Sequence, residues 1–359
     1  MFRRFVQVVC APCSFCAAFA SAVSLVLMAS SVALAAPMWS ASDPIDPAIQ
    51  AQSVSCSSAS FCVAAGSASA FGSTAVYSNG TWSEASLVDP RLLSSVSCAS
   101  SSFCVALDDA GRAIAYNGNS WSVPAPTGTN LSSVSCTSAH FCMGVGVSGD
   151  AAVYNGSTWS TPTHFNYRFS SVSCTSESFC MAVAEFNGEP AYALVYNGQT
   201  WSSPSEIDAQ EGNAMHSVSC TSSSFCMAVG NSSDEVTYNG STWSAPTKIG
   251  VLGYIQSVSC HSESFCLAET PNGETATYNG TTWTPVGHIG EATAGGVVSC
   301  PTDSFCIAAF DYASSYNGFA WTTPVPLGGG GLKSVSCSSS TFCTAVDFRG
   351  RALAYNGST

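Results

Sequence analysis

One motif recurs eight times along this 359-residue chain, and its last copy is cut short while the missing piece stands near the start. The motif reads approximately S-V-S-C-x4-F-C-x-A-V, followed by Y-N-G-x-x-W-S-x-P. Its first cysteines, from Cys56 to Cys337, are spaced 42, 38, 38, 46, 40, 40 and 37 residues apart. The eighth copy runs out at Tyr355-Asn356-Gly357-Ser358-Thr359, before its tryptophan, and a Trp-Ser pair stands instead at Trp39-Ser40. A linear stack has no reason to split a unit between its ends. A closed ring does, because a strand from one end completes the unit begun at the other.

A period near 40 residues fits helical-pair solenoids or four-stranded propeller blades. The repeats are rich in Val, Thr, Phe, Tyr, Trp, Ser and Gly, and none shows sustained i, i+3, i+4 apolar spacing, so strands are expected. In the third copy they are expected at Ser133 to Cys136, Phe141 to Val145, Ala151 to Tyr154 and from Thr158 onward, with Asn155-Gly156 as a tight type I′ turn. The fold class is therefore all-β, an eight-bladed propeller of four-stranded antiparallel blades. Each of the eight tryptophans serves one blade only if Trp39 belongs to the last. Seven blades with a surplus unit would leave Trp39 and the final three strands unpaired. The recurring Phe, Tyr and Trp are expected to pack between blades.

Residues 1–35 carry Arg3 and Arg4, a long apolar stretch and Ala33-Leu34-Ala35, the form of an export signal. Residues 36–359 then form the propeller domain, with 36–52 as closing strand and linker and 53–359 as the repeats. An uncleaved anchor is the alternative. Export makes the sixteen remaining cysteines read as disulfides within repeats: Cys56 with Cys62, Cys98 with Cys104, Cys136 with Cys142, Cys174 with Cys180, Cys220 with Cys226, Cys260 with Cys266, Cys300 with Cys306, and Cys337 with Cys343. Zinc is the competing reading, but it needs two pairs converging on one ion. The expectation is a secreted monomer without metal or other cofactor.

Beyond residue 35 the chain has 22 acidic and 7 basic residues, a formal charge of −15. Such a chain offers no basic face to nucleic acid or anionic lipid. Comparison of the copies separates two uniform turns, within C-x5-C and at Asn-Gly, from two variable connections. In an up-and-down blade these emerge on opposite faces, so the variable face is the candidate for recognition. Its reactive groups include Asp89, Asp108, Arg112, Asp150, Asp234, Glu235, Arg351 and Tyr254. The long fourth unit is the first place to look: Glu185, Glu189 and Tyr192 are expected in its loop beyond the strand ends, with Asp208 and Glu211 in the following link. A second candidate is the ring of residues just before each S-V-S-C, at the mouth of the central channel. His216 and Lys333 interrupt that mostly small, polar ring and are expected four blades apart, facing each other across the axis.

The S-C-x-S-x-x-x-C-x-A-V and N-G-x-x-W-S pattern resembles secreted, cysteine-containing repeat proteins of actinobacteria and neighbouring soil phyla, over the whole chain beyond residue 35. That family usually reads W-N-G where this chain has Tyr154-Asn155-Gly156. The resemblance implies export and a propeller-like fold. The sequence shows no G-x-S-x-G elbow, H-E-x-x-H or P-loop, which leans the reading away from catalysis. Three functions stay open: a binding module for extracellular or cell-wall carbohydrate, a disulfide-stabilised surface or adhesive scaffold without small ligand, and a polysaccharide hydrolase or lyase. Equivalent polar-aromatic sets in several inter-blade clefts would favour the first.

Overall fold

The computed structural model describes Trp39, Asp43–Pro44 and residues 49–357 apart from 186–189, 211, 252, 290–295, 310–311, 327–330 and 348. These all belong to the unit Ala36–Thr359. The export-signal reading of residues 1–35 lies outside them. The described residues form eight antiparallel sheets, one per repeat, seven of four strands and one of five. In the third blade the strands are Ser133–Ser138, Phe141–Val145, Asp150–Tyr154 and Thr163–His164. The eighth blade takes Leu332–Ser339, Phe342–Asp347 and Arg351–Tyr355 from the end of the chain and Asp43–Pro44 from its start. Trp39 bridges Tyr355, and Asp43 pairs with Ala352. The ring closes as the split repeat requires.

Among the described residues the core is divided between the blades. Buried residues fall into eight clusters, each made by two neighbouring blades. Alternation along the first strand explains this, because side chains at i and i+2 share one face of a sheet. Val134 and Cys136 turn back onto the second blade and pack with Phe103, Val105 and Leu131. Ser133 and Ser135 turn to the fourth. The recurring aromatics form a second, outer seam. Each Phe before a second cysteine meets the Tyr of the next blade at 5.2–6.4 Å between ring centroids. Each of those Tyr rings meets the Trp of its own blade at 5.3–5.8 Å, Trp39 with Tyr355 included.

The serines of S-V-S-C have a function that their spacing did not reveal. The second serine of every copy accepts a hydrogen bond from the backbone N–H of the first cysteine in the next blade, at 3.0–3.1 Å. The set runs round the whole ring, and Ser336 accepting from Cys56 N joins the eighth blade to the first. The first serine does the same for the N–H of the valine at five junctions among the described residues. All eight disulfides close within their own repeat, with Cα atoms 4.0–4.1 Å apart. Cys136 and Cys142 face each other directly across the first two strands. At a close-facing antiparallel pair of this kind the backbone N–H points away from the partner strand. One residue thus holds the second strand through sulfur and the preceding blade through its amide.

Two local expectations are corrected. The Asn-Gly connection is a tight turn with positive φ at both residues only in the first blade, at Asn79 (φ 50°) and Gly80 (φ 97°). In the third blade it is a four-residue loop. Asn155 N–H donates to Thr158 O, and Asn155 Oδ1 accepts from Ser157 and Thr158 N–H. An Asx turn thereby replaces the second left-handed residue. The fourth strand begins later than Thr158. Trp159 makes one bridge to Tyr154, and Ser160 Oγ accepts from Val153 N while Ser160 N donates to Val153 O. Regular pairing resumes only at Thr163, beyond Pro162.

Two tests follow from the junctions. Ser336→Ala strips the acceptor from Cys56 N–H and should cost about 1–2 kcal/mol in urea unfolding, since a partly buried donor is left unmade. Ser94→Ala, at an exposed position, should stay within about 0.5 kcal/mol. Equal effects of the two would show that the clamp contributes nothing. Reduction of all eight bridges should lower stability by about 2 kcal/mol per loop on the chain-entropy model, and non-reducing peptide mapping should show links within repeats only.

Candidate functional site

The uniform and variable connections lie on opposite faces, as the repeat comparison requires. In every blade but the first, the glycine of Asn-Gly packs under the C-x5-C turn of its own blade: a Cβ on Gly198 would meet Ser178 Cα at 3.0 Å, and one on Gly156 would meet His140. The other ends of the strands carry the variable connections. Most of the candidate acids there are not the free loop groups that the sequence led us to expect. Asp89, Asp108, Asp208, Asp234 and Glu235 are all buried, as is Asp347, which the sequence did not single out.

Their burial has a structural use. Asp108 Oδ1 accepts from Ala110 N–H and Arg112 N–H, and Arg112 reaches Asp108 through Nε and Asp89 through Nη2, both at 2.6 Å. Burial raises the Asp89 carboxyl above its ordinary range, against the pull of the Arg91 N–H and Arg112. In the eighth blade Asp347 and Arg351 repeat the Asp108–Arg112 arrangement. Asn213 Nδ2 donates to Asp208 Oδ2 and Asp234 Oδ2, and Asp234 pairs with Lys248 at 2.7 Å. The Asp89–Arg112 and Asp208–Asn213–Asp234 networks join neighbouring blades at the variable face, as the serines do at the inner strands, whereas the Asp347–Arg351 pair stays within its blade.

The fourth-unit set is partly corrected. Glu185 is the last residue of the strand Phe179–Glu185, and Tyr192 is the second of Ala191–Tyr196, so both lie within strands and not beyond their ends. Glu185 faces Arg168 across the strand pair, with 3.8 Å between carboxylate and guanidinium. Tyr192 lies against Tyr167 at 4.6 Å. Asp208 is buried at the end of Ser205–Asp208. Glu189 and Glu211 lie outside the described residues. His216 and Lys333 sit on the inner strands Met215–Ser222 and Leu332–Ser339, each at a register shift in its strand pair. They belong to the fifth and eighth blades, three steps apart on an eightfold ring, so they do not oppose each other across the axis. The structure brings Glu185 and Tyr192 together in one blade and leaves His216 and Lys333 separate.

Cavities lie in two settings. Three occupy inter-blade clefts that repeat in register. One of about 490 Å³ between the second and third blades is lined by Val123, Pro126, Tyr154, Thr158 and Trp159 among others. One of about 560 Å³ between the third and fourth has Tyr196, Trp201, Gln199, Thr200, Asn155 and Phe165. One of about 190 Å³ between the eighth and first has Tyr77, Trp82 and Asn356. Each takes the Tyr and half-buried Trp of the blade that follows. The fourth cavity lies in the second setting, the inner rim of the variable face, where His216, Asn231, Tyr254 and Gln256 line about 490 Å³. Sequence reading included His216, Tyr254 and Gln256 but missed Asn231, whose signal was a glycine-free Asn-Ser-Ser connection after Gly230.

Glu269 is the carboxyl most strongly perturbed by burial. It is fully buried, neither oxygen has a hydrogen-bond partner among the described residues, and desolvation pushes its pKa well above the ordinary range. A Cβ on Gly296 would come within 2.3 Å of the carboxylate, which explains a glycine at that place in the rim. Such a group resembles a general acid, yet it lines none of the four cavities. Glu235 is raised by burial in the same direction, with the Thr247 hydroxyl opposing. Among the described residues no group of three His, Cys, Asp or Glu side chains is arranged to hold a metal.

Similarity to solved structures is one of architecture. The computationally designed Ika8 protein aligns with a TM-score of 0.68 at 8% identity, covering 86% of this chain and 96% of that one. YCF48, in a structure bound to a D1 peptide, gives 0.53 at 13% identity over 88% and 94%. The WD40 β-propeller domain of Doa1 gives 0.56 at 9% over 74% and 92%. At such identities the likeness shows the propeller fold alone. No protein-family model matches the chain, and no curated protein does.

The Glu269 carboxyl makes a pH prediction. The folded state holds a proton that the unfolded chain releases near pH ~4.3. Its contribution is therefore fully present below that pH and is lost as pH rises through the raised folded value. The stability difference between wild type and Glu269→Gln should grow against wild type from pH 4 toward neutrality. A difference that stays flat over that interval in urea titrations would remove Glu269 as the source.

Proposed function

We propose that this protein is a secreted, multivalent binding module for extracellular or cell-wall carbohydrate. The observation that carries the reading is the recurrence of one polar-aromatic cleft at three blade junctions. A sugar ring has an apolar face of C–H groups and a rim of hydroxyls. A half-buried Trp beside Tyr offers a surface for the first. Ser122 and Thr158 in one cleft, and Gln199, Thr200 and Asn155 in the next, offer partners for the second. Weak sites repeated on one rigid ring add through effective concentration. The clefts differ in size and lining, which fits related sugar units better than one unit repeated.

Eight disulfides favour an oxidising compartment, and no described helix is long and apolar enough to cross a membrane. The disulfides agree with export. A scaffold without small ligand draws its support from the inter-blade networks, which need no ligand to explain them. The hydrolase reading draws none from the four cavities, since no Asp or Glu lines them.

Val123 is exposed and Gln199 is exposed, so Val123→Asp with Gln199→Ala should change stability by no more than about 0.5 kcal/mol. On a glycan array the purified protein should retain polysaccharide-derived ligands that this double variant binds at least tenfold more weakly. Undiminished binding by the variant would refute the cleft assignment.

A further inference from the structure

The inner-rim cavity between the fifth and sixth blades differs in kind from the rim clefts. Each of its four residues comes from a separate position on the variable end. His216 stands on the inner strand of the fifth blade, and Asn231 on the turn Asn231–Ser233 between that blade's second and third strands. Tyr254 and Gln256 lie on the link into the sixth blade. We propose that this cavity is a single saccharide site, taking one neutral sugar ring against Tyr254 with hydroxyls on His216 and Gln256. The inference rests on the carbohydrate reading above but not on the clefts.

The walls are held in place. Asn231 N–H donates to Ala214 O at 3.0 Å and Asn231 Nδ2 to Gly212 O at 2.6 Å, which ties the turn to the preceding link. Ser233 Oγ donates to Val251 O at 2.7 Å and to Gly253 O, and Ile255 N–H donates to Gly230 O at 2.9 Å, which ties it to the following link. Lys248 Nζ caps Ser232 O at 2.6 Å. Together these bonds keep Ser232 (φ 58°) and Ser233 (φ 60°) in the left-handed region that L-residues disfavour.

The polar groups are set for a neutral, hydroxyl-rich ligand. Since Asn231 Nδ2 donates to Gly212, Asn231 Oδ1 is the acceptor facing His216 Nε2 at 2.8 Å. The network therefore makes Nε2 the donor to Asn231, so that in the neutral tautomer the Nδ1 lone pair is an acceptor. The Tyr254 hydroxyl and the Gln256 amide make no hydrogen bond among the described residues, and Tyr254 is 45% exposed. The Tyr254 ring meets His216 edge to face at 5.5 Å. Lys248 is already paired with Asp234, and no Asp, Glu, Lys or Arg side chain lines the cavity. The chain's net charge of −13 further disfavours an anionic ligand. A cavity of about 490 Å³ is within the range of small-molecule sites.

The test is calorimetric titration with cellotetraose, chitotetraose and maltotetraose, and with trigalacturonate as the anionic probe. Wild type is compared with Tyr254→Ala/Gln256→Ala and with Val123→Asp/Gln199→Ala, and thermal unfolding checks that each variant is folded. At least one neutral oligosaccharide should bind with a stoichiometry of one, weaken at least tenfold in the inner-rim variant and persist in the cleft variant. Loss confined to the cleft variant would overturn this site and leave the cleft reading standing. Loss confined to the inner-rim variant would support it, and the clefts are tested separately by the glycan array. Binding of trigalacturonate alone, or of no oligosaccharide at all, would overturn it.

Discussion

The backbone amide of each first cysteine is the point on which this ring depends. It lies on the innermost strand of its blade, where no further strand can pair with it. Without an acceptor it would be an edge N–H turned toward a crowded axis. The second serine of the preceding copy supplies that acceptor at every junction, from Ser55 to Cys98 round to Ser336 and Cys56. Because the clamp links each blade to the next, its geometry is satisfied everywhere only if the ring closes. The disulfide reinforces it, since the same cysteine is locked to the second strand of its blade.

With the inner strands so joined, the remaining contacts divide by radius. The Val and Cys of one blade pack on its predecessor, and the Phe–Tyr–Trp seam lies farther out. The variable face adds charged ties such as Asp89–Arg112–Asp108 and Asp208–Asn213–Asp234–Lys248. Breaking one partner of such a buried set leaves the other charge unpaired, so these acids are constrained by packing before any ligand is considered. Variation among the loops thus partly reflects different solutions to one problem, the joining of adjacent blades.

What escapes these constraints is informative. The half-buried Trp faces in the clefts, and the Tyr254 hydroxyl and Gln256 amide at the inner rim, which make no hydrogen bond among the described residues, are polar-aromatic groups that the scaffold leaves available. The first recur with the repeat, and the second occur where one blade departs from it. A propeller that offers both can hold a polymer along its side and read one unit of it at its mouth.

The sequence by itself determined the blade count, the closure through Trp39, the eight disulfide partners and the separation of uniform from variable face. Each follows from periodicity and local spacing, which act within a repeat or between identical repeats. Tertiary structure decided the rest. That Asp108 and Asp208 are buried ties, that Glu269 fills the space opposite Gly296, and that Asn231 joins His216 all depend on which side chain of one blade meets which of its neighbour. The three-step separation of His216 and Lys333, by contrast, follows from the order of the repeats in the sequence. The serines show the boundary most plainly: their recurrence was legible, but their partner is a backbone amide some 40 residues away, and a backbone amide has no signature in a sequence.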